Sequence, residues 1–198
     1  MPTQKQRSDS TRALLLQAFR TSLLERGLEH TTTQGVLTET GLSKGALYHH
    51  FKSKTEIVEA IYAEESRAAI ERAFDKAEQH QGPLAQLKSA CLAWTEEVRI
   101  PDVSKILFEI GPTALGPEKA KSIEDAHSLD LIESLIQQAI SQGSLGPTDP
   151  RLIAAFLNAL VAQTALHQLR TGYPSLNVLE RAIQALFESV QPQPENLT

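Results

Sequence analysis

The sequence predicts an all-α fold of about nine helices, with a basic three-helix head followed by an acidic helical body. Three observations predict it. Alanine and leucine dominate the apolar residues and β-branched runs are scarce, so helix propensity outweighs strand propensity. Apolar residues recur at spacings of three and four, and glycine or proline punctuates each stretch. Charge is also divided along the chain. Residues 1–54 hold eight Lys or Arg against four Asp or Glu, a net of +4, and the rest hold eleven against twenty, a net of -9, within a total of -5. A basic head on an acidic body implies two tasks, with only the head suited to a polyanion.

The first helix is expected over residues 10–26. Leu15, Ala18, Phe19 and Leu23 form its buried face, Asp9 or Ser10 caps its start, and Gly27 stops it. Thr31-Thr32-Thr33 offers hydroxyl caps for a short second helix through Glu39, anchored by Val36 and Leu37. Gly41 permits a left-handed turn and Ser43 caps a third helix. Leu47 and Phe51, at i and i+4, hold that helix inward. The side left free carries lysine, tyrosine and two histidines, which fits a helix pressed against something anionic, above all the DNA major groove. A fourth helix, about 53–79, carries Ile57, Val58, Ile61 and Tyr62.

Gln81-Gly82-Pro83 is the clearest break. Helices are expected over 84–98, with Leu87, Cys91 and Trp94 on one face, and over the short apolar stretch 104–110. Gly111-Pro112 and Gly116-Pro117 bracket an expected loop, followed by a long helix over 119–142. Residues 152–169 are apolar nearly all round, so this helix is expected to be buried on more than one side. A last helix, 175–190, precedes a polar tail. The domain boundaries read as 1–54 for the head, with the fourth helix as its link, 55–191 for the body, and 192–198 for the tail.

Composition narrows the function classes. The single cysteine, Cys91, excludes an intrachain disulfide and fits a reducing cytoplasm. The N-terminus has no apolar signal core and no run of 18 apolar residues exists, so no membrane span is expected. An enzyme would need Cys91 with His127 or His167 as nucleophile and base. Cys91 lies instead on an apolar helix face with Leu87 and Trp94, where a thiol is packing. No phosphate-cradling glycine loop, HExxH motif or serine elbow is present, so no catalytic residue and no cofactor are expected. The pair His49-His50 is not a metal site, because adjacent helical residues point about 100° apart. A non-catalytic alternative is an interaction module that kept the fold and lost DNA binding.

The stretch Thr31-Thr32-Thr33-Gln34-Gly35-Val36-Leu37-Thr38-Glu39-Thr40-Gly41-Leu42-Ser43-Lys44-Gly45-Ala46-Leu47-Tyr48-His49-His50-Phe51-Lys52-Ser53-Lys54 resembles the signature of the tetracycline-repressor (TetR) family of transcriptional regulators. The most specific part is Ser-Lys-Gly-x-Leu-Tyr-x-His-Phe followed by Ser-Lys. The chain departs from the family pattern at Gly35, Leu37 and Thr40, where an acid and two alanines are common. Gly35 should weaken the second helix by about 1 kcal/mol against alanine. Residues 111–116 resemble a segment of one broad subgroup. The resemblance implies an all-α homodimer that binds a palindromic operator, usually as a repressor, and is released by a small-molecule inducer held in the C-terminal domain.

Each head residue has its own expected role. Lys44 would meet a phosphate or a guanine edge, and Gly45 would let the backbone approach a base. Tyr48 would bond a phosphate or touch a thymine methyl, and His49 would set sequence preference. Thr33, His50 and Lys54 would clamp phosphates, Gln34 would reach a base from the second helix, and Lys5, Arg7 and Arg12 would form a basic arm. In the body, Phe156, Leu160, Leu179, Ile183, Leu186, Phe187 and Val190 are the expected dimer face, suited to a four-helix bundle built by two subunits. Cys91, Trp94, Phe108, Leu115, His127, Leu131 and His167 are the expected lining of an effector pocket. Trp94 and Phe108 would stack on a flat, apolar ligand, and either histidine would give it one polar bond.

Overall fold

The computed structural model describes residues 3–173 and 175–192, and all their regular structure is helical. The helices are α1 (Gln4–His30), α2 (Thr33–Thr40), α3 (Lys44–His50), α4 (Lys54–Ala77), α5 (Pro83–Glu97), α6 (Pro101–Lys105), α7 (Gly111–Leu115), α8 (Pro117–Ser141), α9 (Pro150–Thr171) and α10 (Leu176–Ser189). A π-helical turn, Ile106–Ile110, joins α6 to α7. Counted as one helical run, residues 101–115 bring the total among the described residues to the nine expected.

Most helix ends follow local chemistry. Ser43 Oγ accepts from the Ala46 amide at 3.1 Å and starts α3, while Gly41, at φ 69°, ends α2 in the left-handed region. The start of α1 differs from expectation. Thr3 and Gln6 form a reciprocal capping box, and the helix begins at Gln4 rather than near Ser10. Ser10 and Thr11 are interior, their hydroxyls donating back to the carbonyls of Gln6 and Arg7. Gly27 breaks the helical path as expected, at φ 78°.

Residues 111–116 are not a loop. Pro112 cannot donate to the residue four back, and its ring would clash with that carbonyl in an ordinary α-turn. The π-turn relieves this: the Gly111 amide reaches back five residues to the Ile106 carbonyl, and the helix resumes through Leu115.

The described residues form two compact units. One comprises residues up to Glu65 together with Ser104–Lys121. Its core includes Leu15, Phe19, Leu23, Val36, Leu47, Ile57, Tyr62 and Ile106. Lys105 Nζ donates to the Leu24 carbonyl at 2.7 Å, and Lys119 pairs with Glu59 at 2.8 Å, so the run after Ser104 is tied to α1 and to the start of α4. The other unit comprises Ser66–Val103 and the described residues from Ser122 onward. Leu87, Ile132, Ile136, Leu157, Leu179, Ile183 and Phe187 centre its core. Its buried carboxylate, Glu97, receives Arg72 Nε at 2.6 Å and Lys76 Nζ at 2.5 Å. Burial pushes the Glu97 pKa up, but the bonds from Lys76 and Arg72 outweigh it and hold the group below its ordinary value.

Within the single chain α9 is covered on one face only, through Ile153, Ala154, Leu157, Val161, Ala165 and Gln168. Leu152, Phe156 and Leu169 on its other sides are exposed. By length and composition alone α9 is apolar enough to cross a membrane, a property that the core helix of a soluble protein can share, and 33% of its most apolar window is buried.

Candidate nucleic-acid interface

The third helix is short, and two side chains decide its orientation. Leu47 and Phe51 are buried in the core of the first unit. Their burial turns Lys44, Gly45, Tyr48 and His49 outward, all exposed, with Tyr48 at 57%. Tyr48 thus stands on the face of α3 that the core leaves free. His50 is half-buried. It meets the His49 ring edge-on, with ring centroids 5.0 Å apart. Burial, then His49 and Arg12, lower the His50 pKa against a smaller opposing pull from Asp9.

Gly45 needs no glycine for the sake of the fold. Its φ is not positive, and an added Cβ would meet only Ser43 Oγ, at 3.7 Å. Gln34 is exposed on α2 and Thr33, at that helix's first turn, is half-buried.

The cations divide in a way that the sequence did not indicate. Arg12 is not part of a free arm: its guanidinium lies 5.4 Å from the Phe51 ring centroid and pairs with Glu64 at 3.3 Å. Arg20 pairs with Glu65 and Arg26 with Glu39. Lys54 Nζ donates to the Leu28 carbonyl just past the Gly27 kink, so in this structure it caps a helix end instead of standing ready for phosphate. The side-chain cations of Lys5, Arg7, Lys44 and Lys52 have no hydrogen-bond or ion-pair partner among the described residues, although the Lys52 amide donates to Glu56 Oε2 at 2.6 Å. Lys52, exposed just after α3, was not singled out in the sequence.

The expected body residues scatter. Cys91 is buried, and burial raises its thiol pKa to about 12. Trp94 packs against the same core. His127 is half-buried, whereas Leu131 and His167 are exposed. Phe108 and Leu115 are half-buried in the other compact unit. Of the expected dimer face, Phe156 is 47% exposed, and Leu160, Leu186 and Val190 are half-buried. Leu179, Ile183 and Phe187 are buried in their own chain's core, on the inward stripe of α10, and are corrected to that role. The exposed apolar residues that the sequence reading passed over are Leu152 and Leu169 on α9 and Val178 on α10. Periodicity marked both helices as apolar but did not say which stripe faces inward.

Comparisons with known proteins agree along the chain. The description "Bacterial regulatory proteins, tetR family" matches residues 15–61, and "Tetracyclin repressor-like, C-terminal domain" matches residues 84–190. An uncharacterized HTH-type transcriptional regulator of Bacillus subtilis, YfiR, is 30% identical over 172 residues, which cover 82% of this chain and 83% of that protein. The transcriptional repressor KstR2 of Mycolicibacterium smegmatis is 26% identical over 164 residues, 75% of this chain and 74% of its own. A crystal structure of a TetR-family regulator from Pectobacterium atrosepticum superposes with a TM-score of 0.77 at 24% identity, covering 98% of this chain and all of that one.

Proposed function

This chain belongs to the tetR family of bacterial regulatory proteins, and from that premise we propose that it represses transcription in the cytoplasm as a homodimer on a palindromic operator. The observation that carries the reading is the outward face of α3: Lys44, Gly45, Tyr48 and His49 stand exposed on a helix whose other side is locked into a core. Lys44 and Lys52 neutralise phosphates, Tyr48 and His50 donate to the backbone of the duplex, and Gly45 with His49 and Gln34 read base edges. Thr33 presents the start of α2 to a phosphate. Lys54 joins the phosphate clamps only by leaving the Leu28 carbonyl.

The dimer forms through α9 and α10, whose exposed Leu152, Phe156 and Val178 with half-buried Leu160, Leu186 and Val190 bury one another across a two-fold axis. That face accounts for the uncovered apolar side of α9 without a membrane. Residues 55–191 also hold a small-molecule effector that changes operator affinity through linkage. Helices α4, α6 and α8 contribute residues to both compact units and would carry that coupling. Catalysis through Cys91 has no part in this reading: with a thiol pKa of about 12, it supplies almost no thiolate at neutral pH.

Fluorescence anisotropy with labelled DNA from upstream of the chain's own gene tests the reading. Wild-type protein should bind, with half-sites ~34–36 Å apart or a multiple. Lys44→Ala and Tyr48→Ala should lose operator binding by tenfold or more, about 1.4 kcal/mol, while circular dichroism stays unchanged. Undiminished binding in both variants would contradict the assigned face.

A further inference from the structure

Among the described residues, Gln168 is the buried side chain whose polar atoms both lack a hydrogen-bond partner. It is 5% exposed, and neither Nε2 nor Oε1 is met. Other buried polar groups of the same unit behave differently: Thr95 Oγ1 donates to the Leu92 carbonyl at 2.7 Å, and Glu97 is held by Arg72 and Lys76. A buried carboxamide with donor and acceptor both unmet bears the full desolvation of two groups. Such a group in a native interior calls for an explanation, and a partner from outside the chain is one.

Its position fits a ligand-facing role. Gln168 lies on the inward stripe of α9 with Leu157, Val161 and Ala165. At 100° per residue these four fall within a sector of about 80°. The close-packed apolar cluster ends on this helix at Val161, and Gln168 stands about 10 Å further along the axis. The buried residues of α5, α8 and α10, which all meet α9, are uncharged apart from Glu97, whose oxygens are already taken. The α8 carboxylates that face α9, Asp125, Asp130 and Glu133, are engaged by Asn158 and Arg151. An ionised ligand group would find no unengaged counter-charge among these groups and would lose its hydration uncompensated.

We propose that Gln168 is the polar recognition point for the effector, and that the effector is an uncharged molecule with a hydrogen-bond donor and acceptor side by side on an apolar frame. A cis-amide, as in a lactam, is the matching group: its C=O receives the Gln168 Nε2–H while its N–H donates to Oε1. This inference rests on the body being an effector domain. It adds which residue reads the ligand and what chemistry is read.

Thermal unfolding of the full chain with ε-caprolactam, N-methylcaprolactam and hexanoate tests it. The N-methyl compound keeps the ring and carbonyl but lacks the donor, and hexanoate brings a charge. For the wild type, ε-caprolactam should raise the Tm, with an apparent Kd roughly tenfold tighter than that of either other compound. Gln168→Met, close in shape but without the amide, should melt no lower than wild type and bind the two lactams equally. Gln168→Leu repeats the comparison should the methionine variant misfold. Equal shifts from both lactams in the wild type, no shift from any of the three, or discrimination retained in the variants would each overturn the assignment. Operator binding by the same ligand-free samples keeps the two readings apart. If it is intact while lactam discrimination is absent, Gln168 fails alone; if the wild type does not bind operator, the reading of the head fails.

Discussion

Gly45 sits on the exposed side of α3, with only Ser43 Oγ near the place where a Cβ would stand. Glycine inside a helix costs about 1 kcal/mol against alanine, and here the fold gets nothing in return. On the proposed reading the advantage lies outside the chain, in close approach of the backbone to a base edge. Gly45→Ala should therefore raise thermal stability by up to about 1 kcal/mol and at the same time weaken operator binding. Calorimetry and anisotropy on one preparation read both, and a variant that is more stable with unchanged affinity would remove Gly45 from the interface. The exposure of Gly45 and Tyr48 was legible from the motif. The engagement of Arg12 and Lys54 was not, because their partners Glu64 and Leu28 are brought near only by packing.

At the scale of elements, the run 101–115 is the clearest departure from a sequence reading. Gly-Pro pairs ordinarily punctuate a chain, and two of them bracketing residues 111–116 read as a loop. The π-turn lets the first pair stand inside a helix. Gly111 is there for a reason that no local pattern reveals: a Cβ would lie 2.1 Å from Tyr62 Cδ2, so the aromatic ring rests directly on the glycine. Tyr62 is 1% exposed and has little room to withdraw. Gly111→Ala should lower stability by about 1–3 kcal/mol through overpacking, measured as a fall in the denaturation midpoint with an unchanged m-value. A substitution without effect would mean that the ring moves freely.

For the whole molecule, the charge division fits DNA binding by a protein of net charge -5, but the structure reduces the number of available cations. Of the eight Lys and Arg in residues 1–54, Lys5, Arg7, Lys44 and Lys52 remain unengaged among the described residues, whereas the others hold the head together. Four phosphate contacts per head and two heads give a slope of about −7 for the logarithm of operator affinity against the logarithm of salt concentration. A titration from 50 to 300 mM salt measures it, and a slope near −14 would show that the internally paired cations are released onto DNA. The uncovered face of α9 makes a second prediction at this scale. Sedimentation at micromolar concentration should show a dimer, and Phe156→Glu, at a position 47% exposed in the single chain, should yield a folded monomer.

The sequence by itself determined what depends on near neighbours along the chain. Helical periodicity, the caps at Ser43 and Gly41, the inward pair Leu47 and Phe51 and the basic head are all set within a few residues, where spacing and side-chain chemistry act directly. Tertiary structure alone decided which apolar stripe of α10 is core, which cations are already engaged, that residues 104–121 pack with the head, and that Gln168 is buried with both polar atoms unmet. Each of these depends on groups far apart in sequence. Burial and hydrogen-bond satisfaction are properties of what surrounds a side chain, and that is fixed only when the helices pack.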